Sequence, residues 1–207
     1  MEPQERIVTK AHELFMRYGI RSVSMDEVAN HLGMSKKTIY QFYADKDALV
    51  EDVIELQINA NQGECKTHKH RSENALHEVF MAVDMMIDLL TGINPNVLFD
   101  LEKYHPKAYK KHVEFKNKFL YTIIKENLEL GIQEGLYRED INTDILARFR
   151  IASTFLIFNQ DLFPLGKDSL AAVIAEMTDN FLHGLATPKG IKLIQKYKQQ
   201  RLKTISL

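Results

Sequence analysis

The stretch from Ser24 to Lys46, SMDEVANHLGMSKKTIYQFYADK, limits the fold more than any other, because it spells two short helices joined by a tight turn. Ser24 followed three residues later by Glu27 makes a capping box, in which each side chain satisfies a backbone N–H at a helix start. Val28, Ala29 and Leu32 then face inward, and Gly33 supplies the left-handed conformation that closes the helix. Ser35 caps a second helix, Lys36 to Tyr43, whose spacing turns Ile39 inward and leaves Lys36, Lys37, Thr38 and Tyr40 on the open side. That side offers hydrogen-bond donors, a methyl group and a phenol. Such a surface suits the DNA major groove, where base edges present donors and acceptors and thymine presents a methyl. The pair reads as a helix-turn-helix.

Met25, Val28, Ala29, Leu32, Gly33, Ser35, Thr38, Ile39, Tyr40, Tyr43, Lys46 and Leu49 stand at spacings through which the chain resembles the TetR family of bacterial transcriptional regulators, over about residues 4 to 54. Two positions depart from the pattern. Lys37 stands where the family often has a small residue. Phe42 stands where it often has His or Tyr, and a phenyl ring has no atom for a phosphate hydrogen bond. The resemblance implies an all-α fold. It comprises an N-terminal three-helix DNA-binding domain over residues 1–46 and a larger helical effector-binding and dimerisation domain over 47–207.

With 45% apolar and 27% charged residues, the composition is that of an ordinary globular protein long enough to bury a core. No signal peptide is expected, since Glu2, Glu5 and Arg6 precede any apolar run, and no stretch of 18 apolar residues offers a membrane span. The single cysteine, Cys65, leaves no internal disulfide framework and fits a reducing cytoplasm. A formal net charge of -1 does not by itself point to nucleic acid. Within residues 1–50 seven bases balance seven acids, yet Lys36, Lys37 and Lys46 cluster at the turn and second helix.

A first helix is expected over about Gln4–Tyr18, with Ile7, Ala11, Leu14, Phe15 and Tyr18 on one stripe and Gly19 past its end. Phe42, Leu49 and Val53 complete the small core beneath the helix-turn-helix. Asp45 is placed to cap a fourth helix, about Lys46–Asn61, so that Lys46 lies where free N–H groups favour a phosphate. The polar segment Gln62–Glu73, with Gly63, reads as a connection. Its Cys65, His68 and His70 lack the paired spacing of structural zinc sites, so no metal and no cofactor is expected.

Further helices are expected over about Asn74–Thr91, Pro106–Glu134, Asn142–Leu162 and Asp168–Leu185, with a short element over Val97–Glu102, and no segment from Pro106 on alternates like a strand. The Asn142–Leu162 helix is apolar nearly all round and needs cover on more than one side. A twofold dimer, in which this helix and the next meet their counterparts as a four-helix bundle, is the simplest cover and is what the resemblance implies. Its candidate contacts are Phe149, Phe158, Val173, Met177 and Phe181. The tail from Pro188 carries six bases and no acid, and fits an amphipathic helix with Ile191, Ile194 and Leu202 against the body.

The functional expectation is a homodimeric regulator bound to double-stranded DNA and released by a small-molecule effector. The alternative is a regulator governed by a protein partner or by none. Lys37, Thr38 and Tyr40 are the candidates for bases and nearby phosphates, with Lys36, Tyr43 and Lys46 on the backbone. The resemblance implies a small-molecule site in the larger helical part. Candidate wall residues are Phe80, Met85, Met86, Phe99, Tyr104, His105, His112, Phe115, Phe119, Tyr121, Phe155 and Asn159. No Gly-x-Ser-x-Gly elbow, phosphate-binding glycine loop or HExxH appears, so the chain is not expected to be an enzyme.

Overall fold

The computed structural model describes residues 2–90, 92–159, 161–164 and 169–205, with side chains as far as Arg201. Expectations that fall on Thr91, Asp168 and the side chains of Leu202 and Lys203 lie outside the described residues. The described residues form eleven α-helices: α1 Pro3–Tyr18, α2 Met25–Leu32, α3 Lys36–Phe42, α4 Lys46–Arg71, α5 Ala75–Leu90, α6 Val97–Tyr104, α7 Pro106–Glu114, α8 Tyr121–Gln133, α9 Thr143–Phe155, α10 Leu170–Leu185 and α11 Pro188–Ile205. A π-helical segment, Phe115–Leu120, joins α7 to α8, and a 3-10 turn, Leu156–Phe158, follows α9.

The helices start and stop where local chemistry directs. Proline at the head of α1 has no N–H to leave unpaired there, and Gly19 closes the helix at φ 90. At α2, Glu27 N–H donates to Ser24 Oγ at 3.2 Å and Ser24 N–H to Glu27 Oε2 at 2.6 Å. Gly33 ends α2 in the left-handed region at φ 65. Asp45 caps α4 through Ala48 N–H at 2.8 Å, and Ser169 caps α10 through Ala172 N–H at 3.1 Å.

Packing divides the chain into two compact units, Met1–Gly63 with Thr91–Asn117, and Glu64–Leu90 with Lys118–Leu207. These bounds differ from the functional division at 46/47, because α4 packs with α1 to α3 and so do α6 and α7. The first unit's core gathers Ile7, Ala11, Leu14, Phe15, Val28, Ile39, Leu49, Val53, Leu101 and Ala108. In the second, Leu76, Phe80, Leu128, Tyr137, Ala147, Leu182, Ile194 and Tyr197 pack together. Here the 136–138 segment pairs with the end of α10: Arg138 N–H donates to the Leu185 carbonyl and Thr187 N–H to that of Leu136, both at 2.9 Å.

Several boundaries correct the sequence reading. Segment 62–73 is not a loop, since α4 runs on to Arg71. Glycine costs a helix interior only about 1 kcal/mol relative to alanine, and Cys65 is buried while Lys66, Lys69 and His70 stay in water. The helix expected over 106–134 contains the π segment. The helix expected to reach Leu162 gives up α geometry at Phe155, because Asn159 Oδ1 accepts from the N–H groups of Asp161 and Leu162 and turns the chain. Tyr18, placed on the inward stripe of α1, is exposed. The tail is helical as expected, with Ile194 and Tyr197 buried.

Candidate nucleic-acid interface

α3 is a seven-residue helix held from both ends. Ser35 Oγ accepts from Thr38 N–H at 3.1 Å at its start, and Ile39 is fully buried at its centre. Ile39 and Tyr43 stand one turn apart and share the inward face, which leaves Phe42 about a hundred degrees to one side. Tyr43 is therefore 3% exposed and Phe42 40% exposed, the reverse of their expected places. The Tyr43 hydroxyl donates to Asp52 at 2.9 Å, and burial raises its pKa to about 12. It is a neutral strut behind the helix rather than a group offered outward.

The outward side of α3 presents Lys36, Lys37, Tyr40, Gln41 and Phe42, all exposed, with Thr38 half-buried. Lys37 makes no ion pair among the described residues. Lys36 Nζ lies 2.9 Å from Asp26 of α2 and 5.9 Å from the centre of the Tyr40 ring, and the hydrogen bond to Asp26 raises its pKa. The Thr38 hydroxyl is 2.8 Å from that of Ser35. Lys46 is turned inward: Nζ donates to the Ile20 carbonyl at 2.6 Å and lies 5.7 Å from the centre of the Phe15 ring. Burial lowers its pKa.

The turn between α1 and α2 is gripped by α6, a link no sequence signal announced. Asp100, buried, accepts from Arg21 N–H at 2.9 Å. Arg21 also donates to Tyr104 Oη at 3.1 Å and lies over its ring. Asn94 N–H donates to the Met16 carbonyl at 2.7 Å. His105, at the junction of α6 and α7, is buried with Nδ1 2.7 Å from Asp47 at the head of α4. Residues 94–105 thus hold the reading unit by four separate polar contacts.

The residues expected to wall an effector site fall in both units. Phe99, Tyr104, His105, His112 and Phe115 belong to the first, where Phe99 is exposed and Tyr104 and His105 serve the contacts above. Burial and the nearby Lys116 push the His112 imidazole down to about 4. Phe80, Met85, Met86, Phe119, Tyr121, Phe155 and Asn159 belong to the second. Phe80 is a core residue, Tyr121 donates to Asp144, and Asn159 makes the turn after α9. Of the residues expected at a dimer contact, Phe149 is 56% exposed and Phe158, Met177 and Phe181 are half-buried, while Val173 is buried within its own chain. Ile145, Phe149 and Leu156 make an exposed apolar stripe along α9 and its 3-10 extension. Among the described residues no three His, Cys, Asp or Glu side chains come together as a metal site, and no helix is long and apolar enough to cross a membrane.

The family model for bacterial regulatory proteins, tetR family, matches residues 7–53, which span α1 to the first turns of α4. An uncharacterized HTH-type transcriptional regulator of Bacillus subtilis, YvaF, is 30% identical over 186 residues, covering 87% of this chain and 94% of that one. A transcriptional regulator from Saccharomonospora viridis, solved in complex with choline, superposes with a TM-score of 0.73 at 18% identity, over 89% of this chain and 97% of that one. The Thermus thermophilus repressor FadR, in complex with lauroyl-CoA, gives a TM-score of 0.59 at 19% identity, over 89% and 95%.

Proposed function

Because the chain belongs to the TetR family and is a DNA-binding transcriptional regulator, we propose that it is a cytoplasmic homodimeric repressor, not an enzyme, released from a palindromic operator by a small-molecule effector. The observation that carries the reading is α3. A helix capped by Ser35 and pinned by Ile39 and Tyr43 offers Lys37, Tyr40 and Thr38 outward on a rigid support. Residues 1–46 supply the reading surface and 47–207 the effector and dimer functions.

Lys37, Thr38 and Tyr40 contact bases and nearby phosphates, and Lys36 exchanges its exposed partner Asp26 for a phosphate oxygen. Lys46 reaches the backbone only by leaving the Ile20 carbonyl, and Tyr43 acts from behind by holding the helix. The dimer forms through the apolar stripe of α9 together with α10. Two copies then aim their reading helices at half-sites one helical turn, or a multiple of it, apart, about 34–36 Å.

Effector control is favoured by the relatives bound to choline and to lauroyl-CoA. An effector releases DNA only by preferring the geometry that does not fit the operator, and a hundredfold change in occupancy needs about 2.7 kcal/mol of that preference. The contacts from Asn94, Asp100, Tyr104 and His105 to the end of α1, the α1–α2 turn and α4 are the means by which a displacement of α6 would reach the reading helix. The test is selection of bound genomic fragments by the purified protein, then a screen for small molecules that release them. Recovery of a palindrome with two such half-sites is expected. Fragments enriched only by length and released only by salt would overturn the reading.

A further inference from the structure

Arg150 is nine-tenths buried on α9, on the inward face with Ala147 and Ile151. Its Nη2 donates to Thr178 Oγ1 of α10 at 2.8 Å, and its guanidinium carbon lies 5.1 Å from the centre of the Phe181 ring, which stacks on Phe149. Among the described residues it has no carboxylate partner. A buried cation is costly unless paired, because neither a hydroxyl nor a ring face replaces the water or the counter-charge it has lost.

A guanidinium has five N–H donors in a planar fork, and Thr178 takes one. Among the described residues Thr178 is its hydrogen-bond acceptor, and no carboxylate meets the rest of the fork. A charged fork without a counter-charge, set beside a hydroxyl and among aromatic rings, fits an oxyanion attached to an apolar body. Burial lowers the Arg150 pKa only to about 10, so the charge persists at neutral pH.

A second copy of the chain is not the natural counter-charge. At about 100° per residue, Arg150 sits about 120° round α9 from the centre of the exposed stripe of Ile145, Phe149 and Leu156. Thr178 is likewise buried, away from the exposed Ala172, Glu176 and Asn180 of α10.

We infer that Arg150 anchors the head group of the effector, and that the effector is an apolar molecule carrying one carboxylate or phosphate. The inference rests on the effector-controlled reading above and narrows it to a chemical class. Its test needs no DNA. Full-length protein is titrated calorimetrically with a matched set of one chain length: octanoate, octyl phosphate, octan-1-ol and octyltrimethylammonium. At least one of the two anions is expected to bind ten times more tightly than the alcohol or more, and the cation not at all. Which anion wins separates carboxylate from phosphate recognition.

Arg150→Met should abolish the preference for the anion over the alcohol, and Arg150→Lys should keep part of it. Without ligand, Arg150→Met should melt at or above the wild-type temperature, because an apolar side chain replaces an unpaired buried charge. Equal binding of alcohol and anion, no binding of either anion, an anion response retained in Arg150→Met, or a sharply lowered melting temperature of ligand-free Arg150→Met would each overturn the inference. The regulator reading fails separately, through the absence of a selected operator.

Discussion

Replacing Asp100 by alanine removes the acceptor that holds Arg21 N–H at 2.9 Å, across 79 residues of sequence, and frees the α1–α2 turn. A hydrogen bond to a charged group contributes about 1.5–3 kcal/mol, and the partial exposure of this one places it in the lower half, about 1.5–2 kcal/mol. With a urea slope of about 2–3 kcal/mol/M for a chain of this size, the midpoint should fall by about 0.5–1 M. Asp100→Asn keeps an acceptor without the charge and should lose about half as much. The freed turn lies three residues before Ser24, which starts the helix-turn-helix, so operator affinity should fall in the same order, Asn before Ala. Urea melts followed by circular dichroism and fluorescence-anisotropy titration of the selected operator measure the two effects. Equal loss in both variants, or full stability with lost DNA binding, would refute the link from α6 to the turn.

Tyr40→Ala should relax preference at one operator position by roughly 1–3 kcal/mol. Lys36→Ala should weaken all sequences alike and lower the salt slope by about one unit, as read by anisotropy across a salt series. If Lys46 stays on the Ile20 carbonyl in the complex, Lys46→Met lowers the melting temperature and leaves that slope unchanged. Gly131→Ala would place a Cβ 2.0 Å from the ring of Tyr137, itself buried and hydrogen-bonded to Asn127. The expected cost is about 3 kcal/mol, a drop of about 6–12 °C in a thermal melt. His112, held down to about 4 by burial, favours its neutral form in the folded state. It therefore contributes stability above pH 6.5 that is lost as pH falls from there towards 4, up to about 3 kcal/mol. His112→Gln should flatten the stability profile in that window.

The local signals of the helix-turn-helix were legible in the chain: the Ser24–Glu27 box, the Ser35 cap, the left-handed Gly33, and Ile39 turned inward. These are local hydrogen bonds and one helical period, so they act wherever the segment is placed. The resemblance carried by Met25 to Leu49 rested on the same stretch. What escaped required knowing who packs against whom. Tyr43 takes the inward place because Asp52 is there to accept its hydroxyl, and Phe42 is displaced to the outside. The grip of Asp100 on Arg21, and the Thr178 hydroxyl beneath Arg150, join residues 79 and 28 positions apart. Propensity and periodicity decay within a turn or two, whereas such contacts exist only once the helices have docked. The tertiary structure alone therefore decided which lysine is tethered, which ring is exposed and which buried charge has a hydroxyl and no carboxylate beside it among the described residues.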